Sequence, residues 1–366
     1  MFCSSCGVVC EPDSFFCHAC GCRVDVTEGS RTNIDDIITD YFYRGYQYSA
    51  ILGLLKKHQG VQIHVRTLKR KLKELGLKRR EANYDEETVR QCIEQEMQEA
   101  GSLAGYRYIW HALRLRHHLN VPRRLVAIIM KEIDPDGVRA RRAGRLTRRN
   151  YISLGPNFAW HIDDKKSRCP RVVRSDCGTE NVIIAGMQSY FRADGNDEFA
   201  GTKAHQYGSS PANQRIEAWW SFFRRSNSSW WINLFKDMCE SGVLELGNNF
   251  HMQCLWFCFS RLIQNELDKV MDQWNSHYIR RSRHDTVPGV PDILYYLPEM
   301  SAAVDCLVPV PQAKLHEVEP QCHIDIEEDL HEEYFEYTME TEDWEYPANV
   351  ENAFDLFQKF NNIQHV

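Results

Sequence analysis

Two kinds of segment are missing from this chain of 366 residues, a long apolar run and a secretory opening. No apolar stretch approaches the ~18 residues that a membrane-spanning helix needs, which argues against any membrane partner. Met1 and Phe2 lead directly into cysteines, without the basic and apolar regions of a signal peptide. We therefore expect a protein that works inside the cell.

Basic residues are scarce beyond position 300, where 2 Lys/Arg face 16 Asp/Glu. Residues 1–150 carry 26 Lys/Arg against 18 Asp/Glu, so the net charge of −7 conceals a basic front half. A basic half favours a polyanion such as DNA as partner, although a charge run also occurs on any solvated surface. The alternating acidic and aromatic residues of 301–366 predict a disordered acidic tail, which would recruit a protein partner or mask the basic half.

Cysteine is unevenly distributed, with six of the fourteen in the first 22 residues. Two C-x2-C pairs occur there, and four thiolates at this spacing suit a tetrahedral Zn²⁺. We predict a small zinc ribbon over 1–26 that the metal stabilises. A redox pair or free thiols are the alternatives, and Cys10 and Cys22 could compete as ligands. The predicted zinc ligands are Cys3, Cys6, Cys17 and Cys20.

Apolar residues at helical spacing predict three helices over 33–80. The second is predicted to follow a cap at Ser49, and the third to span about 65–75. Leu68 and Leu72 share one face of the third helix. Arg66, Arg70 and Lys73 lie opposite, and Lys69 lies on the flank. This unit resembles the helix-turn-helix of transposases, whose third helix reads the major groove; a bundle with merely solubilising cations is the alternative. The predicted DNA contacts are Arg66, Lys69, Arg70 and Lys73.

Residues 84–137 predict a second unit of three helices, the third with Pro122 in its first turn. Tyr106, Trp110 and Leu113 resemble the helix-turn-helix that precedes the catalytic domain of bacterial insertion-sequence transposases. The stretch 138–150 is predicted to lie along DNA phosphates and to act as a nuclear import signal, which implies a nuclear protein; a solvated linker is the alternative. Its six arginines are Arg139, Arg141, Arg142, Arg145, Arg148 and Arg149.

Three acidic motifs lie between residues 151 and 300. The first reads Phe-Ala-Trp-His-Ile-Asp and ends at Asp163, the second contains Arg-Ser-Asp-Cys-Gly around Asp176, and the third reads Ser-Pro-Ala-Asn-Gln-Arg-Ile-Glu and ends at Glu217. Together they resemble the catalytic core of DDE-type integrases and transposases. The resemblance implies an α/β ribonuclease-H-like domain in which these three carboxylates hold two Mg²⁺ ions for phosphoryl transfer on DNA.

The spacing of the first two motifs departs from this family. Twelve residues separate Asp163 from Asp176, where the family has several dozen. Because neighbouring parallel strands need a crossover of about a dozen residues or more, the short connection predicts a hairpin with Pro170 opposite Asp163. Asp176 would then lie ~20 Å from Asp163 at ~3.3 Å per residue. We therefore expect a truncated core over 151–300 that uses Mg²⁺ only if it is active.

The expected fold has several domains: a four-cysteine zinc ribbon, all-α helix-turn-helix units, a truncated ribonuclease-H-like α/β core and a disordered acidic tail. The leading hypothesis is a transposon-derived, integrase-like DNA-binding protein without strand-transfer activity. One alternative is an active metal-dependent recombinase whose site is rebuilt around Asp163 or Asp164. Another is a DNA-bound transcriptional or chromatin adaptor that acts through the tail. The residues do not indicate the oligomeric state.

Overall fold

The structure of the chain, a computed structural model, divides into two compact units. The first unit comprises Met1–Arg80, Arg145–Trp219 and Ser276–His323. The second unit comprises Glu81–Gly144, Trp220–Asn275 and Ile324–Val366. The residues that the structure describes are 33–79, 84–140, 159–160, 168–175, 181–208, 214–281, 287–318 and 330–364.

Helices dominate the described residues. In chain order the α-helices are α1 (Ile34–Tyr43), α2 (Tyr48–Gln59), α3 (Val65–Glu74), α4 (Glu86–Glu96), α5 (Tyr106–Arg116), α6 (Arg123–Ile133), α7 (Pro135–Ala140), α8 (Asn181–Phe191), α9 (Gln214–Phe223), α10 (Ser229–Glu240), α11 (Asn249–Ser276), α12 (Pro291–Tyr296), α13 (Gln312–Val318), α14 (Leu330–Thr341) and α15 (Val350–Gln364). The strands are β1 (Ala159–Trp160), β2 (Arg168–Cys169), β3 (Val172–Ser175), β4 (His205–Tyr207) and β5 (Val308–Pro309). Of the described helices, none is long and apolar enough to cross a membrane.

The helices α1, α2 and α3 of the first unit enclose a shared apolar core. Leu68 and Leu72 of α3 are buried in it, together with Ile51 and Leu55 of α2 and Phe42 of α1. Burying side chains of this size stabilises the folded state by about 1.5–3 kcal/mol each. The apolar periodicity that predicted three helices in this region therefore corresponds to their packed faces.

The ends of α2 and α3 lie where glycines in the sequence predicted them, but the start of α2 differs from the prediction. The predicted cap at Ser49 is wrong, because the extended backbone of Gln47 precedes α2 and Ser49 already lies in the first helical turn. The helix ends at Gly60, whose φ of 66° is the left-handed conformation that glycine adopts without strain. The predicted third helix is confirmed, since α3 ends at Glu74 before Gly76 with φ 71°.

Residues 290–301, which we call the closing segment, complete the same core although they come much later in the sequence. Leu297 is buried against α2, where a Cβ added to Gly53 would lie 2.8 Å from Leu297 Cδ1. The Tyr46 hydroxyl donates a hydrogen bond of 2.5 Å to Asp292 Oδ2. Helices α1, α2 and α3 therefore pack with residues that were predicted to belong to the truncated core over 151–300.

The first unit also contains a parallel sheet in the order β1-β3-β4. Ala159 pairs with Val172 and Trp160 with Val173, and β4 continues the sheet on the other side of β3. Helix α8 lies between β3 and β4 in the sequence and makes the crossover that a parallel pair needs. This arrangement is an α/β core.

The hairpin predicted between the first two acidic motifs is wrong, because β1 and β3 run parallel. The connection comprises the eleven residues 161–171, and β2 lies within it. This strand pairs antiparallel with β5, placing Cys169 opposite Val308. A partner from a distant part of the chain thus replaces the local antiparallel pairing that the short connection suggested.

In the second unit, α4, α5 and α6 pack around a separate core. The α6 helix begins at Arg123 directly after Pro122, close to the predicted start. At the edge of the core, Glu96 Oε1 accepts a hydrogen bond of 2.9 Å from Arg116 Nε and lies 2.8 Å from His117 Nε2. The fully buried side chains of this core include Val89, Ile93, Ile109, Leu113, Val126 and Ile129.

Residues 308–318 contain β5 and α13, and residues 330–364 contain α14 and α15, so the predicted disordered tail is wrong over these ranges. Phe335 and Met339 of α14 are buried, as are Phe357 and Phe360 of α15, and they pack with side chains of α10 and α11. These apolar residues recur three or four positions apart, which gives each helix one apolar face. The acidic composition therefore concealed an amphipathic pattern.

Candidate nucleic-acid site

Most of the predicted catalytic and metal chemistry lies outside the described residues. Asp163 and Asp176 fall outside them, and Glu217 belongs to α9 with its side chain outside the description. Arg139 belongs to α7, and its side chain also lies outside the described part of the structure. Within the described ranges, no group of three or more His, Cys, Asp or Glu could hold a metal ion. The other predicted residues outside the description are Cys3, Cys6, Cys17, Cys20, Arg141, Arg142, Arg145, Arg148 and Arg149.

Helix α3 brings four of the predicted DNA contacts together on one exposed face. Leu68 and Leu72 anchor the opposite face in the core, which turns the cations outward. Arg70 Nε lies 3.6 Å from Glu74 Oε1, but both side chains are well exposed, so this pair contributes little stability. The exposed cations of this face, which we call the α3 cationic face, are Arg66, Lys69, Arg70 and Lys73.

Lys71 of α3 and Arg79 beyond its end have structural partners that the sequence did not predict. Lys71 Nζ donates to Asp35 Oδ1 at 2.5 Å. The Arg79 guanidinium stacks 4.5 Å from the Phe42 ring centre and 5.2 Å from that of Tyr48. Helical periodicity does not reveal these contacts, because all three partner residues belong to other elements. These two cations stabilise the three-helix unit. Within the α3 cationic face, Lys69 Nζ also lies 5.8 Å from the Tyr48 ring centre.

The polar ends of β3 and β4 form a second feature that the sequence analysis did not single out. Ser175 Oγ lies 3.2 Å from His205 Nε2, and burial lowers the pKa of the His205 imidazole. The Arg174 guanidinium lies across Gly208, where an added Cβ would be 2.8 Å from Arg174 Nε. Gly208 therefore admits this close approach because it has no side chain. In the sequence, Asp176 follows directly after these β3 residues.

A buried arginine fixes the connection between α8 and β4. Arg192 is 2% exposed, and its Nη2 donates to Asp197 Oδ2 at 2.5 Å. Burial raises the pKa of Asp197, but the hydrogen bonds from Arg192 and from the Phe199 N–H lower it by more, so the net shift is downward. A buried guanidinium without a carboxylate partner would cost several kcal/mol. The pair therefore stabilises the crossover that sets the position of β4.

In the second unit, two arginine side chains lie over the indole ring of Trp110. The Arg123 guanidinium lies 4.1 Å from the Trp110 ring centre, and that of Arg114 lies 4.9 Å from it. Trp110 Nε1 also donates to the Val121 carbonyl at 2.8 Å. Trp110, which carried part of the sequence resemblance, thus holds the start of α6 against α5. The role of Trp110 in this contact is structural.

Residues 164–296 match a protein family described as the integrase core domain. This segment is an integrase core domain. The match begins directly after Asp163 and includes Asp176 and Glu217. Searches of curated proteins and of solved structures found no match.

The observed α/β arrangement agrees with this assignment. The parallel strands β1, β3 and β4, the crossover helix α8 and the helix α9 after β4 are consistent with a ribonuclease-H-like core. The predicted resemblance to DDE-type integrases is therefore confirmed for this part of the chain. An integrase core supports a function associated with nucleic acid.

Proposed function

We propose that the chain is a transposon-derived DNA-binding protein that does not carry out strand transfer. The observation that carries this proposal is the α3 cationic face, set opposite Leu68 and Leu72 in a chain that also contains an integrase core. A short helix anchored by leucines and cationic on its outer side fits the major groove, where Arg and Lys contact phosphates and guanine edges.

The affinity of such a helix for DNA depends on salt, because each neutralised phosphate releases a counterion. The logarithm of the binding constant falls by ~0.9 per phosphate contact for each tenfold rise in salt concentration. Four cations on one face would therefore account for a slope of up to ~4. The arginines between 139 and 149 would add further phosphate contacts, and we propose that they also direct the chain to the nucleus.

The proposed lack of strand transfer follows from the short chain between the first two acidic motifs. A DDE-type core has several dozen residues there, which form further strands and a helix. This chain has the eleven residues 161–171 between β1 and β3, and two of them form β2 with β5 as partner. The connection has no room for the missing elements, so we propose that the core no longer supports catalysis.

Fluorescence anisotropy of a labelled DNA duplex at several salt concentrations tests the DNA-binding proposal. The α3 variant replaces Arg66, Arg70 and Lys73 by alanine. We expect it to bind at least ~10-fold more weakly and to lower the salt slope by ~3. The control variant replaces three exposed lysines of the second unit, Lys236, Lys269 and Lys359, by alanine and so makes the same change in charge. It should retain the wild-type salt slope. If the α3 variant binds as tightly as wild type, the proposal is overturned.

A second candidate function, metal-dependent phosphoryl transfer on DNA, is favoured by the register of the sheet. β1 and β3 pair with an offset of 13 positions, from Ala159 to Val172, and the same 13 positions separate Asp163 from Asp176. Asp163 and Asp176 therefore occupy equivalent positions in the sequence relative to the paired residues of β1 and β3. With Glu217 they would supply the oxygen ligands that Mg²⁺ prefers, and the ions would stabilise the charge of the transferring phosphate.

A nicking assay with Mg²⁺ or Mn²⁺ distinguishes the two candidates. Glu217→Gln removes the third carboxylate, and Glu198→Gln is the matched control at an exposed position in the first unit. Nicking by wild type and by Glu198→Gln that disappears in Glu217→Gln would replace the first proposal with the second. If the wild-type chain binds DNA and shows no nicking with either metal, the first proposal is supported.

A further inference from the structure

The second unit contains a groove between α11, α14 and the chain that follows α14. Phe257 and Phe335 contribute to its lining from the apolar core. We call it the Trp256 groove. Its other lining residues are Gln253, Trp256, Ser260, Arg261, Glu332 and Tyr346.

Trp256 makes this groove unusual. Its side chain is 68% exposed, although Cys254 and Cys258 on the same helix are fully buried. Single exposed apolar residues are common on proteins, but this indole borders a groove that also contains the Tyr346 ring. The Arg261 guanidinium lies 3.5 Å from the Tyr346 ring centre and supports it. The groove therefore presents two aromatic rings of the kind that carry most of the energy in protein interfaces.

The charge around the groove restricts what it can bind. Residues 330–364 contain nine carboxylates and one lysine. Because the apolar face of α14 is buried, its outer face is acidic, and one residue of this face, Glu332, also lines the groove. The acidic residues of this exposed face are Glu332, Glu333, Glu336 and Glu340.

These observations favour one class of occupant over others. The four α14 carboxylates outnumber Arg261, the one cation among the lining residues that the structure describes, so nucleic acid would be repelled. The same face of a second copy would carry the same charge. We propose that the Trp256 groove binds a basic segment of a partner protein, which inserts an apolar side chain beside Trp256 and places lysines or arginines along the carboxylates of α14. Such pairing of apolar anchors with complementary charge is typical of peptide recognition.

Anisotropy with labelled synthetic peptides tests this proposal on the full chain. The probe is a helical peptide of about 15 residues with leucines on one face and lysines on the other, and its partner probe has glutamates in place of the lysines. We expect wild type to bind the lysine peptide and not the glutamate peptide. Trp256→Ala and Glu332→Lys should each weaken binding at least ~10-fold, whereas Met271→Ala, an exposed site elsewhere on α11, should not.

Thermal unfolding followed by circular dichroism should show the same midpoint for Trp256→Ala and wild type, since the removed side chain is mainly exposed. Equal binding of the lysine peptide by Trp256→Ala would overturn the proposal. So would a wild-type dimer that dissociates in Trp256→Ala, which would assign the groove to a second copy. Tighter binding of a peptide of residues 138–150 would assign it to this chain's own arginine-rich stretch and would also overturn the proposal.

Discussion

The hydroxyl of Tyr46 donates a hydrogen bond of 2.5 Å to the carboxylate of Asp292, which lies 246 positions further along the chain. Burial, and next the negative charge of Asp292, raise the pKa of the Tyr46 phenol well above its ordinary value. Tyr46 is 2% exposed and the Asp292 side chain is 19% exposed, so the bond lies at the edge of the α1–α3 core. It ties the closing segment to the helices that present the α3 cationic face.

Replacing Tyr46 by phenylalanine tests this bond. The change removes the donor and leaves the Asp292 carboxylate partly buried without it, so we expect the free energy of unfolding to fall by about 1–3 kcal/mol. Urea denaturation measures the difference. Tyr278→Phe is the control, because that side chain is 61% exposed, and it should change stability by less than about 0.5 kcal/mol. Equal stability of Tyr46→Phe and wild type would contradict the role of the bond.

Gly53 and Leu297 provide a double-mutant test of the closing segment. Gly53→Ala gains about 1 kcal/mol of helix propensity, but its methyl group would lie 2.8 Å from Leu297 Cδ1, so the gain is offset by crowding. Leu297→Ala alone should destabilise by about 2–5 kcal/mol. In that background the methyl group has room, and Gly53→Ala should become stabilising. Additive effects of the two changes would show that the segment does not pack on α2.

The lowered pKa of Glu96 predicts that the folded state loses stability at acid pH. Burial raises its pKa, but hydrogen bonds from Arg116 and His117 lower it by more, from an ordinary 4.5 to about 2. Because the folded-state pKa is the lower one, the unfolded state binds the proton first as pH falls. The contribution of ~3 kcal/mol is therefore complete above the ordinary pKa and is lost as the pH falls towards the folded-state pKa.

Unfolding free energies measured across the acid range check this expectation. Glu96→Gln should destabilise the chain near neutral pH, and its difference from wild type should shrink as the pH approaches the folded-state value. Glu94→Gln, at an exposed position on the same helix, should follow wild type throughout. A difference between Glu96→Gln and wild type that does not change with pH would refute the assignment.

The C-terminal helices predict that residues 330–364 are part of the folded second unit. Phe357 is fully buried among α10, α11, α14 and α15 side chains, so Phe357→Ala should destabilise by about 3–5 kcal/mol. Tyr337→Ala, at a 68% exposed position on α14, is the control and should have little effect. Thermal unfolding measures both. If Phe357→Ala unfolds like wild type, the tail is not packed as the structure has it.

The four cysteines of the N-terminal C-x2-C pairs predict bound zinc. Elemental analysis of the purified chain should give about one zinc per molecule, as expected for four thiolates around one ion. Cys6→Ser and Cys20→Ser should each lower that content sharply. Cys92→Ser, at a free and partly buried thiol of α4, should leave it unchanged. Zinc content that survives both ligand changes would exclude the predicted ribbon.

Local patterns predicted the helices between residues 33 and 137 well. The spacing of Leu68 and Leu72 predicted α3 and the face that its cations occupy, and the glycine after it ended the helix as expected. Such features depend on residues three or four positions apart, which interact through the helix itself. The acidic motifs, in turn, were sufficient to identify the integrase core.

Composition misled the prediction at the C-terminus. The carboxylates of 330–364 suggested disorder, yet Phe335, Met339 and Phe357 recur at helical spacing and are buried. Charge per segment is an average, whereas helix packing depends on which positions are apolar. A search for apolar periodicity within the acidic stretch could have found both helices.

The direction of the strands and the completion of the α1–α3 core depended on contacts between distant parts of the chain. The short stretch before β3 could form a hairpin on local grounds, but β2 pairs with β5 and leaves β1 and β3 parallel. Leu297 likewise completes a core begun by α1 and α2. Residue types and spacing thus specify most of the helices and the family of the core, because these depend on near neighbours. Strand pairing and core completion depend on long-range burial, which no local pattern encodes.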